Sequence, residues 1–383
     1  MKNLTIVHAS VVHSPYDDRI FFRQAQTLSN YYCKIHIIGF ADEASRTQSS
    51  NSRVSIIEIR KQKLKKMSLQ AYRLFSKIKP NIVHIHDPYL IPWACRYKAK
   101  NNIQIIYDIH ENWSLLALAS YSNKFLQTFL RAFYIYCIEK YYLNRFSGIV
   151  VADDDLYIKY CHYRNIIQIR NYATSGNKIT NSTEHQKLIS QIIDFKKNCR
   201  LLIYVGHVDS SRALDVPIKA VAECAKNLNL KIKFLIIGPG ESQYINQIQA
   251  LSKQYGQSTL IIKPVLYNQI YDILSLADYG WAVIPDNFNF KHRIPNKIFD
   301  YMRSGLMIVG SNLTFTKSLI KKHPVGHIVN PVSVNNSVCA LKKLLKEPPP
   351  AQMSSQIKQI FQESYHWNKE APRLIAFYEN IIK

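Results

Sequence analysis

The chain has 383 residues, 47% of them hydrophobic and 20% charged, and 50 Lys+Arg against 26 Asp+Glu give a formal net charge of +24. That length exceeds one ordinary core and implies two domains, and the composition excludes a disordered chain. The basic surplus is spread, 24 against 12 acidic groups up to residue 174 and 26 against 14 beyond it, a field that draws nucleic acid, anionic lipid or phosphorylated small molecules without choosing among them.

Strand-like and helix-like runs alternate from the start. Leu4–Ala9 is a short β-rich run, Asp17–Ser29 is helical, and Lys34–Phe40 is a strand. Asn81–His86 and Ile103–Asp108 read as buried strands with a helix from about Tyr89 to Lys100 between them, and Gly148–Ala152 and Ile166–Arg170 continue the series. Strands separated by helices imply a parallel sheet covered on both faces. From Thr174 to Lys187 the residues turn small and polar, which predicts a linker. The pattern then restarts with Leu201–Val205, Lys233–Ile237, Thr259–Ile262, Tyr279–Ile284, Leu306–Val309 and Gly326–Asn330, and Pro348–Pro350 breaks the chain before two last helices. Two doubly wound domains with a cleft between them are expected, with ligands at the carboxyl ends of the strands.

The seven cysteines are odd in number and form no C-x-x-C pair, which argues against a disulfide framework or a zinc site and fits a reducing cytosol. No signal peptide and no run of membrane-spanning length is present, so a soluble or peripheral protein is expected. Two segments suit an anionic bilayer: Arg60–Lys79, with eight basic residues and no acidic one, and the aromatic and basic Tyr121–Phe146. A solvated loop plus a packed core helix would give the same composition.

Candidate chemistry lies where strands end. In Y-V-G-H-V-D-S-S-R, Gly206 permits close backbone approach, and Arg212, near a helix start, has the fork geometry for phosphate oxygens. The next strand ends in G-P-G, Gly238–Gly240. Neither G-x-G-x-x-G nor G-x-x-x-x-G-K-[ST] occurs, which disfavours NAD enzymes and P-loop NTPases. In I-P-N-K-I-F-D-Y-M-R-S-G, Pro295 suits the first turn of a helix closed by Gly305, and Lys297 and Asp300 project from neighbouring turns. That helix start suits an anion and the carboxylate suits hydroxyls, as a nucleoside diphosphate with its ribose would require; an ordinary amphipathic helix with a solvated Lys and Asp has the same pattern. His86 and Asp87 follow one strand, and His110 and Glu111 another; a histidine so placed is commonly a structural hydrogen-bonder. Asp153, Asp154 and Asp155 suit either a divalent metal or the capping of a helix start.

Seven pieces in order resemble the bacterial glycosyltransferase family 4, retaining enzymes of the GT-B fold: H-S-P-Y-D-D-R-I, H-I-H-D-P-Y-L, Y-D-I-H-E-N, I-R-N-Y at Ile169–Tyr172, Y-V-G with its basic residue six positions on, I-I-G-P-G, and P-N-K-I-F-D-Y-M-R-S-G. The ending S-Y-H-W-N before a helix fits as well. The resemblance implies two Rossmann-like domains facing across a cleft: 1–174, which binds the acceptor, with a last helix of about 365–383 crossing back to it, and 175–364, which binds the nucleotide sugar. It implies that Arg212 and Lys297 hold the donor diphosphate, that Gly206, His207, Gly238 and Asn296 border it, that Asp300 takes the ribose, and that His110 contacts the donor sugar. Asp17, Asp18, Arg19, Asp87 and Glu111 would lie on the acceptor side. Three departures stand out: His292 where the family has its first Glu, His207 where it often has Arg, and the S-P-Y-D-D-R turn where it usually has a Gly-Gly loop near the N-terminus.

The expected reaction is transfer of a sugar from a UDP- or GDP-linked donor to an acceptor hydroxyl of a glycan or lipid-linked glycan of a surface polysaccharide, with the anomeric configuration kept and neither metal nor cofactor required. It would run on the cytoplasmic side, peripheral to the membrane. A nucleotide-sugar epimerase or a phosphorylase of the same fold is the near alternative. A non-catalytic nucleic-acid-binding protein is the distant one, with no helix-turn-helix, zinc finger or RNP-like sheet to support it.

Overall fold

The structure is a computed structural model that describes residues 2–40, 53–119, 125–175, 182–226, 230–256, 258–285, 294–346 and 351–383. The chain divides into two compact units, Met1–Thr174 with Trp367–Lys383, and Ser175–His366.

The first unit is a seven-stranded sheet of β1 (Lys2–Ala9), β2 (Tyr32–Gly39), β3 (Val54–Glu58), β4 (Ile82–Ile85), β5 (Gln104–Ile109), β6 (Gly148–Val151) and β7 (Ile166–Gln168), in the order β3-β2-β1-β4-β5-β6-β7. All pairs are parallel. Its helices are α1 (Gln26–Ser29), α2 (Leu64–Ile78), α3 (Ile91–Lys98), α4 (Trp113–Ala119), α5 (Phe125–Tyr142) and α6 (Asp154–Tyr160), and a π-helical stretch, Asp18–Ala25, leads into α1. The second unit orders β8 (Arg200–Val205), β9 (Ile232–Ile237), β10 (Thr259–Ile262), β11 (Tyr279–Ala282), β12 (Met307–Ser311) and β13 (Gly326–Val329) as β10-β9-β8-β11-β12-β13, again parallel. Its helices are α7 (Thr183–Lys196), α8 (Asp215–Lys226), α9 (Ser242–Gln254), α10 (Tyr267–Ser275), α11 (Lys297–Ser304), α12 (Thr314–Lys322), α13 (Val334–Lys346) and α14 (Ala351–Ile360). In both sheets the order reverses beside the first strand, β1|β4 and β8|β11, and such switch points are where doubly wound sheets bind ligands.

The strands read as unbroken apolar runs because both faces are covered. Val83, Ile85, Ile105, Tyr107 and Val151 face one core, shared with α2, α3 and α5, while Ile6, Ile82, Ile106 and Val150 face the other. The second core is closed by α15 (Ala371–Ile382), whose Leu374, Phe377, Tyr378 and Ile381 are buried in it, each contributing about 1.5–3 kcal/mol gross. Gly148 makes room for it: a Cβ there would lie 2.4 Å from Phe377 and 2.6 Å from Ile381.

Three expectations need correction. The polar stretch read as a linker to Lys187 is already helical from Thr183, because Ser182 caps α7 by accepting from the His185 N–H. Most of Arg60–Lys79 is α2 rather than loop, buried through Met67, Ala71 and Phe75 with its lysines outside. Pro295 precedes α11 instead of opening it, its carbonyl accepting from Ile298. Arg212, expected near a helix start, ends a 3-10 turn, Ser210–Arg212, just ahead of α8. Residues 121–124, 176–181, His292 and Pro348–Pro350 lie outside the described residues.

Candidate functional site

In the second unit β8 runs into Gly206, held at φ +146°. A Cβ there would sit 3.1 Å from the Lys297 ammonium, so a lysine of another element comes to lie against bare backbone. Lys297 reaches it because α11 is anchored by Tyr301, fully buried against Gly280 of β11. The Tyr301 hydroxyl accepts from the Val205 N–H at 3.1 Å and donates to the Trp281 carbonyl at 3.3 Å, which ties α11 to β8 and β11 together. At its other end Gly305, at φ +75°, closes α11 with a Leu306 N–H to Tyr301 C=O bond.

The Lys297 ammonium lies 3.7 Å from the centre of the Tyr204 ring, a cation–π contact. Burial first, and then the Arg212 guanidinium, push this ammonium well below the usual lysine range, with Asp209 opposing. Asp209 also lies 3.6 Å from Arg212 Nε and 3.8 Å from His207, and it caps the Ser210–Arg212 turn through the Ser211 N–H. A guanidinium acting on the Lys297 ammonium beside glycine backbone makes a site that an anion would relieve. His207 is half exposed next to them. Asp300 lies one turn beyond Lys297, and its Oδ1 accepts from the Tyr267 hydroxyl at 3.4 Å and lies 3.5 Å from Arg303. Asn296 is the exposed residue at the start of α11. The G-P-G glycines allow two loops to approach closely. A Cβ on Gly238 would fall 1.9 Å from the Gly206 carbonyl oxygen, and one on Gly240 would fall 2.1 Å from that of Val208, so they bring two loops together.

In the first unit four histidines gather at the ends of β1, β4 and β5. His8 Nδ1 is 3.0 Å from His86 Nε2, and His86 Nδ1 is 3.1 Å from His110 Nε2. His84 Nδ1 meets the Tyr378 hydroxyl of α15 at 2.5 Å. Asp108, with no exposed surface, is the hub: Arg19 donates to both of its oxygens at 2.9 and 2.8 Å, Gln24 donates at 2.5 Å, and His86 and His110 stand 3.5 Å away. Although burial opposes it, Arg19 and then His110 hold the Asp108 carboxyl well below the usual range. Burial pushes His8, His84 and His86 well down, so these imidazoles are neutral.

The ligand atoms of His8, His84 and His86, and those of His86, Asp108 and His110, lie within 4.8 Å of one another. Yet His84 and His86 stack at 18°, and lone pairs in near-parallel ring planes do not converge on one ion, while Asp108 Oδ2 already accepts from Arg19 and Gln24. The arrangement is a hydrogen-bonded core. Asp153 caps α6 through the Leu156 N–H, and Asp154 pairs with Arg170 at 2.7 Å.

Of the residues expected on the acceptor side, Arg19 and Asp87 are buried parts of the frame. Arg19 also donates to the Ile169 carbonyl and to Asn171, and Asp87 accepts from the Val11 N–H, Ser10 and the Tyr89 N–H. Asp17 caps the Asp18–Ala25 stretch and Asp18 pairs with Arg23 at 2.6 Å. His110 and Glu111 remain partly exposed, and His110 stacks on His13.

Residues 185–360 match the family described as "Glycosyl transferases group 1". This stretch is a group 1 glycosyltransferase domain. It contains Gly206, His207, Arg212, Gly238, Asn296, Lys297 and Asp300, whereas His110 lies outside it. The fold is GT-B, and solved structures similar to nearly the whole chain bear this out. Sucrose-phosphate synthase from Thermosynechococcus elongatus is 15% identical with a TM-score of 0.74 over 99% of each chain. Anabaena HepE in complex with UDP-glucose is 14% identical with a TM-score of 0.73 over 98% of this chain and all of the other. WaaG, a glycosyltransferase involved in lipopolysaccharide biosynthesis, is 12% identical with a TM-score of 0.68 over 96% and 99%. No curated protein matches the sequence significantly.

Proposed function

We propose that the protein is a retaining glycosyltransferase that moves a sugar from a UDP- or GDP-linked donor to a hydroxyl of a glycan or lipid-linked glycan in surface polysaccharide synthesis. One observation carries the reading: within the group 1 domain, the Lys297 ammonium lies against the bare backbone of Gly206 at the end of β8, with the Arg212 guanidinium near enough to act on its charge. Breaking the sugar–phosphate bond leaves negative charge on the diphosphate, and preorganised cations and backbone N–H groups stabilise it where it forms. In this reading Lys297 and Arg212 hold the leaving diphosphate, His207 and Asn296 border it, Asp300 takes the ribose, and His110 meets the transferred sugar. His86 and Asp108 hold His110 from behind. The departing phosphate acts as the base for the incoming hydroxyl, and no metal is needed. The similar HepE structure, in complex with UDP-glucose, and WaaG, involved in lipopolysaccharide biosynthesis, agree with this choice of donor and pathway class.

No helix among the described residues is long and apolar enough to cross a membrane. We place the protein on the cytoplasmic face of an anionic membrane, with the lysines of α2 and the outward aromatic residues of α5 turned to it. The test of the reaction is product analysis with labelled nucleotide sugars, with and without acceptor. Acceptor-dependent transfer that falls at least a hundredfold in Lys297→Ala and in Arg212→Ala is expected, and unchanged in excess EDTA. Losses under threefold would remove the assignment, and turnover without acceptor would indicate an epimerase.

A further inference from the structure

The helix α5 is apolar on both sides. Ala132, Ile135 and Ile138 are buried in the first unit, yet Leu126, Phe129, Leu130, Phe133, Tyr134 and Tyr141 are 48–68% exposed. Arg131 and Lys140 share that outer side, and the only acidic residue of the helix, Glu139, is turned inward. Aromatic and basic residues without exposed acids are the composition of a helix lying in a bilayer interface.

Beside the C-terminal half of α5 a cavity of about 200 Å³ opens between it and α6, room for about six waters. Glu139 and Tyr160 form its buried floor, Tyr136 and Tyr163 its aromatic walls, and Lys140 and His162 its exposed rim. Tyr136 belongs both to this cavity and to the outer face, being 49% exposed. The Glu139 carboxylate accepts from Tyr107 at 3.1 Å on one oxygen and from Tyr160 at 2.8 Å on the other, which leaves each oxygen a second lone pair. Lys159, also lining the cavity, lies 4.7 Å from the Tyr160 ring centre and donates to Asn112 at 2.9 Å and Ser114 at 3.5 Å rather than to Glu139. Burial pushes the Glu139 carboxyl up further than Lys159 and the two tyrosines bring it back, so the carboxylate gains from another cation.

We propose that this cavity binds the head group of a primary-amine, zwitterionic phospholipid, with the ammonium on Glu139 between the tyrosine faces and the phosphate on Lys140 and His162. The inference rests on the membrane attachment proposed above and names the lipid that attachment selects. A primary ammonium donates to both free lone pairs and sits over aromatic faces; a trimethylated one has no N–H to donate.

The experiment is flotation of the full chain with vesicles of fixed phosphatidylglycerol content, the remainder being either phosphatidylcholine or phosphatidylethanolamine. Binding to the ethanolamine vesicles about tenfold tighter is expected, as one charged hydrogen-bonded contact supplies. That preference should vanish in Glu139→Gln and in Tyr163→Trp, which narrows the cavity without touching the carboxylate. Both variants should keep the wild-type affinity for choline vesicles, a comparison that reports on folding as well. Equal binding to the two vesicles, or a preference that survives in both variants, overturns the head-group site and leaves the membrane attachment standing. Flotation with neither vesicle overturns the attachment itself.

Discussion

Mild acid should destabilise the first unit. His8, His84 and His86 have no exposed surface, and burial, the first cause in each case, keeps them neutral in the fold. Unfolding returns each to a pKa of about 6.5. Below that value the unfolded chain binds protons that the folded one refuses, so stability falls as pH falls, by about 1.4 kcal/mol per unit for each imidazole. Integrated from pH 7.5 to 5.5, three such groups remove about 4 kcal/mol, a large part of the 5–15 kcal/mol typical of a domain. Asp108 does not offset this. Its folded pKa is depressed, so it is ionised in both states across the window, and its stabilisation is lost only in stronger acid. Urea unfolding followed by tryptophan fluorescence reads the first unit well, since Trp93, Trp113 and Trp367 lie in it and only Trp281 in the second. The midpoint should drop by about 2 M between pH 7.5 and 5.5, and His8→Gln should reduce that drop by about a third. A midpoint that does not move would refute the buried neutral cluster.

Asp108→Asn leaves the buried Arg19 guanidinium without its counter-charge, so a loss of about 3–5 kcal/mol in unfolding free energy is expected; a loss below about 1 kcal/mol would show the pair to be solvated. Gly148→Val drives a side chain into Phe377 and Ile381, and hydrogen exchange should report α15 released from the first sheet while the second unit keeps wild-type protection. Burial and Arg212 push the Lys297 ammonium down, and a bound diphosphate opposes that shift. Affinity for the diphosphate should therefore weaken as pH rises, measured by titration calorimetry at several pH values, and Lys297→Met should flatten that dependence.

The sheets were legible because each strand is buried on both faces and reads as an apolar run. The strand β3, V-S-I-I-E, was not, since at the sheet edge only Val54 is buried and Ser55 and Glu58 interrupt the apolar run. Gly206, Arg212 and Lys297 stood out through strand-end position and residue type, and the structure brings Lys297 and Gly206 together from stretches some 90 positions apart. Asp209 and Tyr301, which set the charge and the placement of that lysine, gave no signal of their own, because their roles depend on a three-dimensional neighbour. In the first unit the alternation His84, His86 was the available sign of polar groups inside a strand. Asp108 as the hub, and His8 and Gln24 as members, required the register of β1 against β4.

The most direct measurement is calorimetric titration of UDP and GDP into the wild-type chain, Lys297→Ala and Arg212→Ala. Binding of one of these nucleotides by the wild type, weakened about tenfold or more in each variant as lost charged hydrogen bonds require, is the predicted result. Equal affinity in all three chains, or no binding by the wild type, would contradict the placement of the donor diphosphate at Gly206, Arg212 and Lys297.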